Sequence, residues 1–258
     1  VAPGAGDAAE GLILDLLRKA LSGEGFRLVY QPVLSLRRAV HQRYEVLLRL
    51  HAPDGVIIPP LSFLPVAERF GLLPEIDRWV LKGALQTLRA ERDAGRPTQL
   101  MIHQTPASMA SPDWLEWLRG EILRLDLVRQ RPMVEFPARD ILAHEDQARI
   151  VFPDLAKLGI DICLAGVTDD PSVLELIERR PVHCVKLAHE LVTKGSGRAL
   201  RACVSQLQER GARVIAAGIE DPETIGRVWS SGVDYIQGNF IQFPEEGLNF
   251  NFSDTPLS

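Results

Sequence analysis

A chain of 258 residues is long enough for one large α/β domain or two small ones. Its 46% hydrophobic and 24% charged residues exclude a disordered or membrane-spanning class, and its net charge of -5 speaks against a basic surface for nucleic acid or anionic lipid. No apolar run is long enough to span a bilayer, no signal-peptide pattern opens the chain, and Cys163, Cys184 and Cys203 form no CxxC pair. The expectation is a cytoplasmic globular domain with its cysteines reduced and packed in the core.

Residues 1–25 read as a linker and lead-in helix. VAPGAGDAAEG is small and polar, as where a larger protein was cut, and LILDLLRKAL has helical spacing. Residues 26–258 read as one domain. Its strand-like runs are RLVYQPV (27–33), RYEVLLRL (43–50), QLMIHQT (99–105) and PMVEF (132–136). DICLAGV (161–167), VHCVKLA (182–188), ARVIAAGI (212–219) and VDYIQGN (233–239) follow. Amphipathic helical runs such as IDRWVLKGALQTLRAER and LRACVSQLQERG separate most of them. Leu34–Gln42 is too short for a crossover helix, so the first two strands should pair antiparallel. Eight such runs predict an α/β fold, a (β/α)₈ TIM-like barrel. A doubly wound open sheet is the alternative, but no GxGxxG follows the first strand.

Strand ends build the functional face of a barrel. In RYEVLLRL, Glu45, Leu47 and Arg49 share one face, while Tyr44, Val46, Leu48 and Leu50 share the other. Gln31, His103, Glu135, Lys186, Glu220 and Gln237 fall at or just beyond the ends of other strands. Each has a plain structural alternative: Glu45 could pair with Arg49, Lys186 could neutralise Glu135, His103 could be a rim histidine, and Gln31 could satisfy a turn. Their convergence on one mouth argues for a ligand site.

Several motifs, in order, resemble the EAL domains, cyclic-di-GMP phosphodiesterases with a barrel of this type. YQPV at 30–33 is similar to the family's YQPI, and EVLLRL at 45–50 sits where EALLRW would be. PPLSFLPVAERFGLL, PVHCVKLAHELV, VIAAGIE and DYIQGNFIQFP resemble further family segments, over about Phe26 to Pro244. The departures fall on the residues that hold divalent metals in that family. His103 replaces an asparagine, Ala165-Gly166-Val167-Thr168 replaces DDFG, Ala188 replaces an aspartate, and Ala217 replaces the proposed general base. Asp169 and Asp170 lie close by and could restore part of the set. Two magnesium ions need several carboxylates, and an activated water needs a proton acceptor. The expectation is therefore no metal cofactor, no catalysis and no enzyme.

What the resemblance implies instead is a receptor, most like the FimX-type members of the family. Cyclic di-GMP would be bound by Gln31, Glu45, Leu47, Leu48, Arg49, Asp77, Glu220, Gln237, Phe240 and Pro244. Asp77 would meet a guanine edge, with a first-turn helix acid as its structural alternative. Output would pass to a PilZ-type adaptor in type IV pilus and twitching control, with GGDEF or sensor domains upstream. The competing readings are an active phosphodiesterase with an unusual metal site, a ligand-free scaffold, and a Schiff-base lysine at Lys186.

Overall fold

The computed structural model describes residues 5–37 and 41–254. Helix α1 (Ala5–Leu21) takes in much of the linker-like start, because its alanines and leucines are good helix formers. Leu14, Leu16, Leu17 and Ala20 are buried in the main core, so α1 packs on the barrel. There follow β1 (Phe26–Pro32), β2 (Leu34–Ser35), β3 (Gln42–His51), β4 (Ile57–Ile58), α2 (Pro60–Arg69) and α3 (Leu73–Asp93). Next come β5 (Thr98–His103), α4 (Pro106–Ala110), α5 (Trp114–Arg124), β6 (Met133–Pro137), α6 (Ala138–Ala143) and α7 (Glu145–Lys157). The last part holds β7 (Asp161–Val167), α8 (Pro171–Arg179), β8 (Cys184–Leu187), α9 (His189–Lys194), α10 (Gly197–Glu209), β9 (Arg213–Ala216), α11 (Pro222–Ser231) and β10 (Tyr235–Ile236).

The strands run in the order β1-β3-β5-β6-β7-β8-β9-β10-β2, with β4 added to β3. Neighbours from β3 to β10 are parallel, whereas β1 runs antiparallel to β3 and β2 antiparallel to β10. Only Val33 separates β1 from β2, so one inverted stretch of chain touches both ends of the parallel array. It closes the barrel. Because β1 is inverted, Gln31 reaches the site through its register against Glu45, not by ending a strand at the mouth.

Tyr44, Val46 and Leu50 of β3 are buried on the outer face. No crossover helix follows β1 to cover that face, and the C-terminal tail helps to do so. The Tyr44 hydroxyl accepts from the Phe250 N–H at 3.2 Å, and Phe252 packs edge-on to its ring at 5.3 Å between centroids. Inside the barrel, Val33, Met101, Met133, Cys163, Cys184, Ile215 and Tyr235 form an apolar layer. β8, β9 and β10 are shorter than their sequence runs, which places Ala217, Glu220 and Gln237 just past strand ends. Among the described residues no helix is long and apolar enough to cross a membrane.

Candidate ligand site at the barrel mouth

Above the apolar layer lies a connected polar set. The Lys186 ammonium, on β8, is 2.6 Å from Glu135 Oε2 on β6 and 2.9 Å from Glu45 Oε1 on β3. Gln237 Nε2 donates to Gln31 Oε1 at 2.9 Å and also to Glu45 Oε2. Gln31 Nε2 in turn donates to Asn239 Oδ1 and to the Gln242 carbonyl, both at 3.1 Å. His103 Nδ1 lies 3.6 Å from Glu135 Oε1. Glu45 therefore pairs with Lys186 rather than with Arg49.

Burial alone would raise the Glu135 carboxyl, but the Lys186 charge and the His103 contact outweigh it and hold it well below the usual range. For Lys186, burial pulls down while Glu135 and Glu45 push up, and the net shift is upward. The amine stays protonated, the opposite of what a Schiff-base lysine requires. Burial also pulls His103 down, yet Glu135 and then Asp77 leave it raised, against the opposing charge of Lys186.

Arg49 projects on the same face of β3 as Glu45. Its guanidinium donates to the Leu48 carbonyl at 2.9 Å and forms no ion pair among the described residues. Desolvation lowers its pKa and Glu45 raises it, with desolvation the larger. Leu47 and Leu48 beside it are half-buried, Phe240 is 48% exposed and Pro244 is half-buried. Glu220 is exposed, next to Ile219, whose N–H donates to the Gln237 carbonyl at 3.0 Å.

Asp77 departs from the guanine-reading expectation. It is buried in α3, and Oδ2 accepts from the Thr105 N–H at 2.7 Å, the Thr105 hydroxyl at 2.6 Å and the Ser108 hydroxyl at 2.7 Å. Burial raises its pKa despite these bonds. Asp77 ties the start of α4 to α3. The residues that sequence reasoning missed are Asn239 and Gln242; their signal was their position in the turn directly after DYIQG.

The donor chemistry does not fit the divalent metals of the resembled family. A lysine ammonium already sits between the two glutamates, and Ala165, Ala188 and Ala217 offer no side-chain oxygen. Among the described residues no group of three His, Cys, Asp or Glu is arranged to hold an ion. Asp170 caps α8, accepting from the Ser172 N–H at 2.8 Å. Burial, and then the charge of Asp169, pushes the Cys203 thiol up to about 11.

A family model described as the EAL domain matches residues 15–244. An uncharacterized 76.5 kDa protein of Thiocystis violacea is 38% identical over 244 residues, 95% of this chain and 35% of that protein. The cyclic di-GMP phosphodiesterase PdeR of Escherichia coli is 26% identical over 239 residues, 91% of this chain and 36% of that protein. The chain thus spans about a third of the length of these relatives. The FimX EAL domain from Pseudomonas aeruginosa, solved bound to c-di-GMP, superposes with a TM-score of 0.85 at 28% identity, covering 93% of this chain and 99% of that one. One expectation is corrected here. PdeR and further relatives are named cyclic di-GMP phosphodiesterases, and the expectation that this chain is no enzyme does not stand against them.

Proposed function

This chain belongs to the EAL domain family, and from that membership we propose that it binds cyclic di-GMP in the barrel mouth and reports the bound state to a protein partner. Arg49 carries the reading. A half-buried guanidinium without a carboxylate partner among the described residues suits an anionic phosphodiester, which it meets through parallel N–H donors. The tied amides of Gln31 and Gln237 form the polar floor, Leu47 the wall, and Phe240 with Pro244 a surface for a base, whereas Leu48, expected at the ligand, packs on the opposite face against the outer core. Glu220 stands at the rim, and Asp77 acts by holding α4 in place. The likeness to a FimX EAL domain bound to c-di-GMP supports the same ligand.

Lys186 already neutralises the carboxylates of the mouth, so binding is expected to be unchanged in excess chelator. The output we assign is a PilZ-type adaptor of type IV pilus and twitching control, which the motif resemblance to FimX-type members implies. A second reading, hydrolysis of the same dinucleotide, is favoured by the names of relatives such as PdeR.

Calorimetric titration with cyclic di-GMP, in magnesium and in chelator, tests the reading. One saturable site of equal affinity in both buffers is expected, and no binding in either would overturn it. Release of linear product over a protein-free control would establish the second reading. Capture of a PilZ-domain protein that changes with ligand is the expected output, since partner and ligand must alter each other's affinity. Failure of capture in both states would remove the pilus assignment.

A further inference from the structure

The opposite end of the barrel carries a second unbalanced cluster of charge. A cavity of about 410 Å³ opens there, lined among others by Ser35, Arg37, Gln208, Arg213, Asp234 and Tyr235. Its volume is in the range of small-molecule pockets. Arg213 Nη1 donates to the Tyr235 hydroxyl at 2.8 Å and forms no ion pair among the described residues. Arg43 lies over the Tyr235 ring, 4.1 Å from its centroid, and donates through Nε to Gln99 Oε1 at 2.9 Å. Arg43 Nη1 is buried without a hydrogen-bond partner. Arg43 does not itself line the cavity; it adds positive charge behind the Tyr235 ring that forms part of the wall.

Little carboxylate is left to answer this charge. Asp234 is buried; Oδ2 accepts from Gln208 Nε2 at 3.0 Å and the Val214 N–H at 2.9 Å, while Oδ1 lies 3.4 Å from Arg37 Nε. Asp161, on β7, is taken by Arg131. Arg43 and Arg213 therefore meet Tyr235 from its ring and its hydroxyl, and the one carboxylate lining the cavity, Asp234, faces Arg37 and leaves Arg213 unanswered.

We propose that this cavity is an anion site, built for the phosphate group of a small soluble molecule and separate from the barrel mouth. Arg213 and Arg37 supply charged donors at its opening, and Tyr235 supplies an aromatic wall beside them. Asp234 sets selectivity by fixing the Gln208 amide and the exposed Arg37 around the opening.

Inorganic phosphate is the probe. Titrated into the intact domain at constant ionic strength, it should bind saturably and raise the melting temperature, as any ligand of the folded state does. Chloride should do neither. Arg213→Gln should weaken phosphate binding by roughly tenfold or more, the loss of one charge-assisted contact, while Arg213→Lys should restore part of it. Arg37→Gln, at an exposed position, should weaken it with little change in the ligand-free melt. Arg49→Ala, at the other end, should leave it intact. Adenosine monophosphate, run in parallel, distinguishes a phosphorylated metabolite from free phosphate by binding more tightly through its added surface. A phosphate effect equal to that of chloride would overturn the proposal. So would binding that survives both Arg213→Gln and Arg37→Gln, or binding lost in Arg49→Ala.

Discussion

Removing the Lys186 ammonium would leave Glu45 and Glu135 facing each other in a nearly dry mouth. Breaking a buried pair from one side typically costs about 3–5 kcal/mol, and Lys186→Met is expected to lose that much at neutral pH. The sign of its pH dependence follows from Glu135. In the native protein its pKa is depressed, so its contribution is present above the ordinary carboxylate pKa and lost as pH falls through the folded value. In the variant the Lys186 charge is gone and burial is opposed only by the His103 contact, so the Glu135 carboxyl sits higher than in the native protein and acid relieves part of the penalty. Urea midpoints of the two proteins should converge as pH falls from neutral into the acid range; a constant gap would contradict the ion pair. Arg49→Ala tests the ligand side. Losing one charge-assisted contact of about 1.5–3 kcal/mol should weaken cyclic-di-GMP binding by roughly 10- to 150-fold in a folded protein, read by calorimetry. Strand alternation alone put Glu45 and Arg49 on one face. It could not show that Asp77 is engaged, because Thr105 and Ser108 lie 28 and 31 positions later and packing brings them there.

At the scale of elements, the antiparallel first pair was legible because a short link cannot hold a crossover helix. What covers the outer face of that pair was not legible, since the tail returns from 206 positions away. Tyr44→Phe removes the hydroxyl that takes the Phe250 N–H, and should cost about 0.5–1.5 kcal/mol. Hydrogen exchange at the Phe250 amide should quicken with it; an unchanged rate would contradict the tie. Gly238 is where the loops after β9 and β10 meet. A Cβ there would fall 2.0 Å from the Ile219 carbonyl oxygen and 2.4 Å from its nitrogen, so one loop must move. Gly238→Ala should lower stability by about 1–3 kcal/mol. It should also weaken cyclic-di-GMP binding, because Gln237, Asn239 and Gln242 flank that glycine. A variant with native melting temperature and affinity would contradict this close approach.

For the whole molecule, eight β-rich runs separated by helical ones carried the barrel, and the structure trims them. Strand ends are hard to read where an apolar run continues into a loop, as ARVIAAGI does beyond Ala216. The lead-in helix expected over LILDLLRKAL is present and begins earlier, at Ala5, because small residues that read as linker are also compatible with helix. A net charge of -5 likewise hides unpaired guanidiniums at both ends of the barrel, because a total says nothing of placement. Hydrogen–deuterium exchange of the whole domain, with and without cyclic di-GMP, shows where on the barrel the dinucleotide sits. Binding in the mouth predicts slowed exchange in the loops at 217–220 and 237–244, with no change at 211–213 on the opposite end. Exchange unchanged throughout, or slowed only at that opposite end, would contradict it.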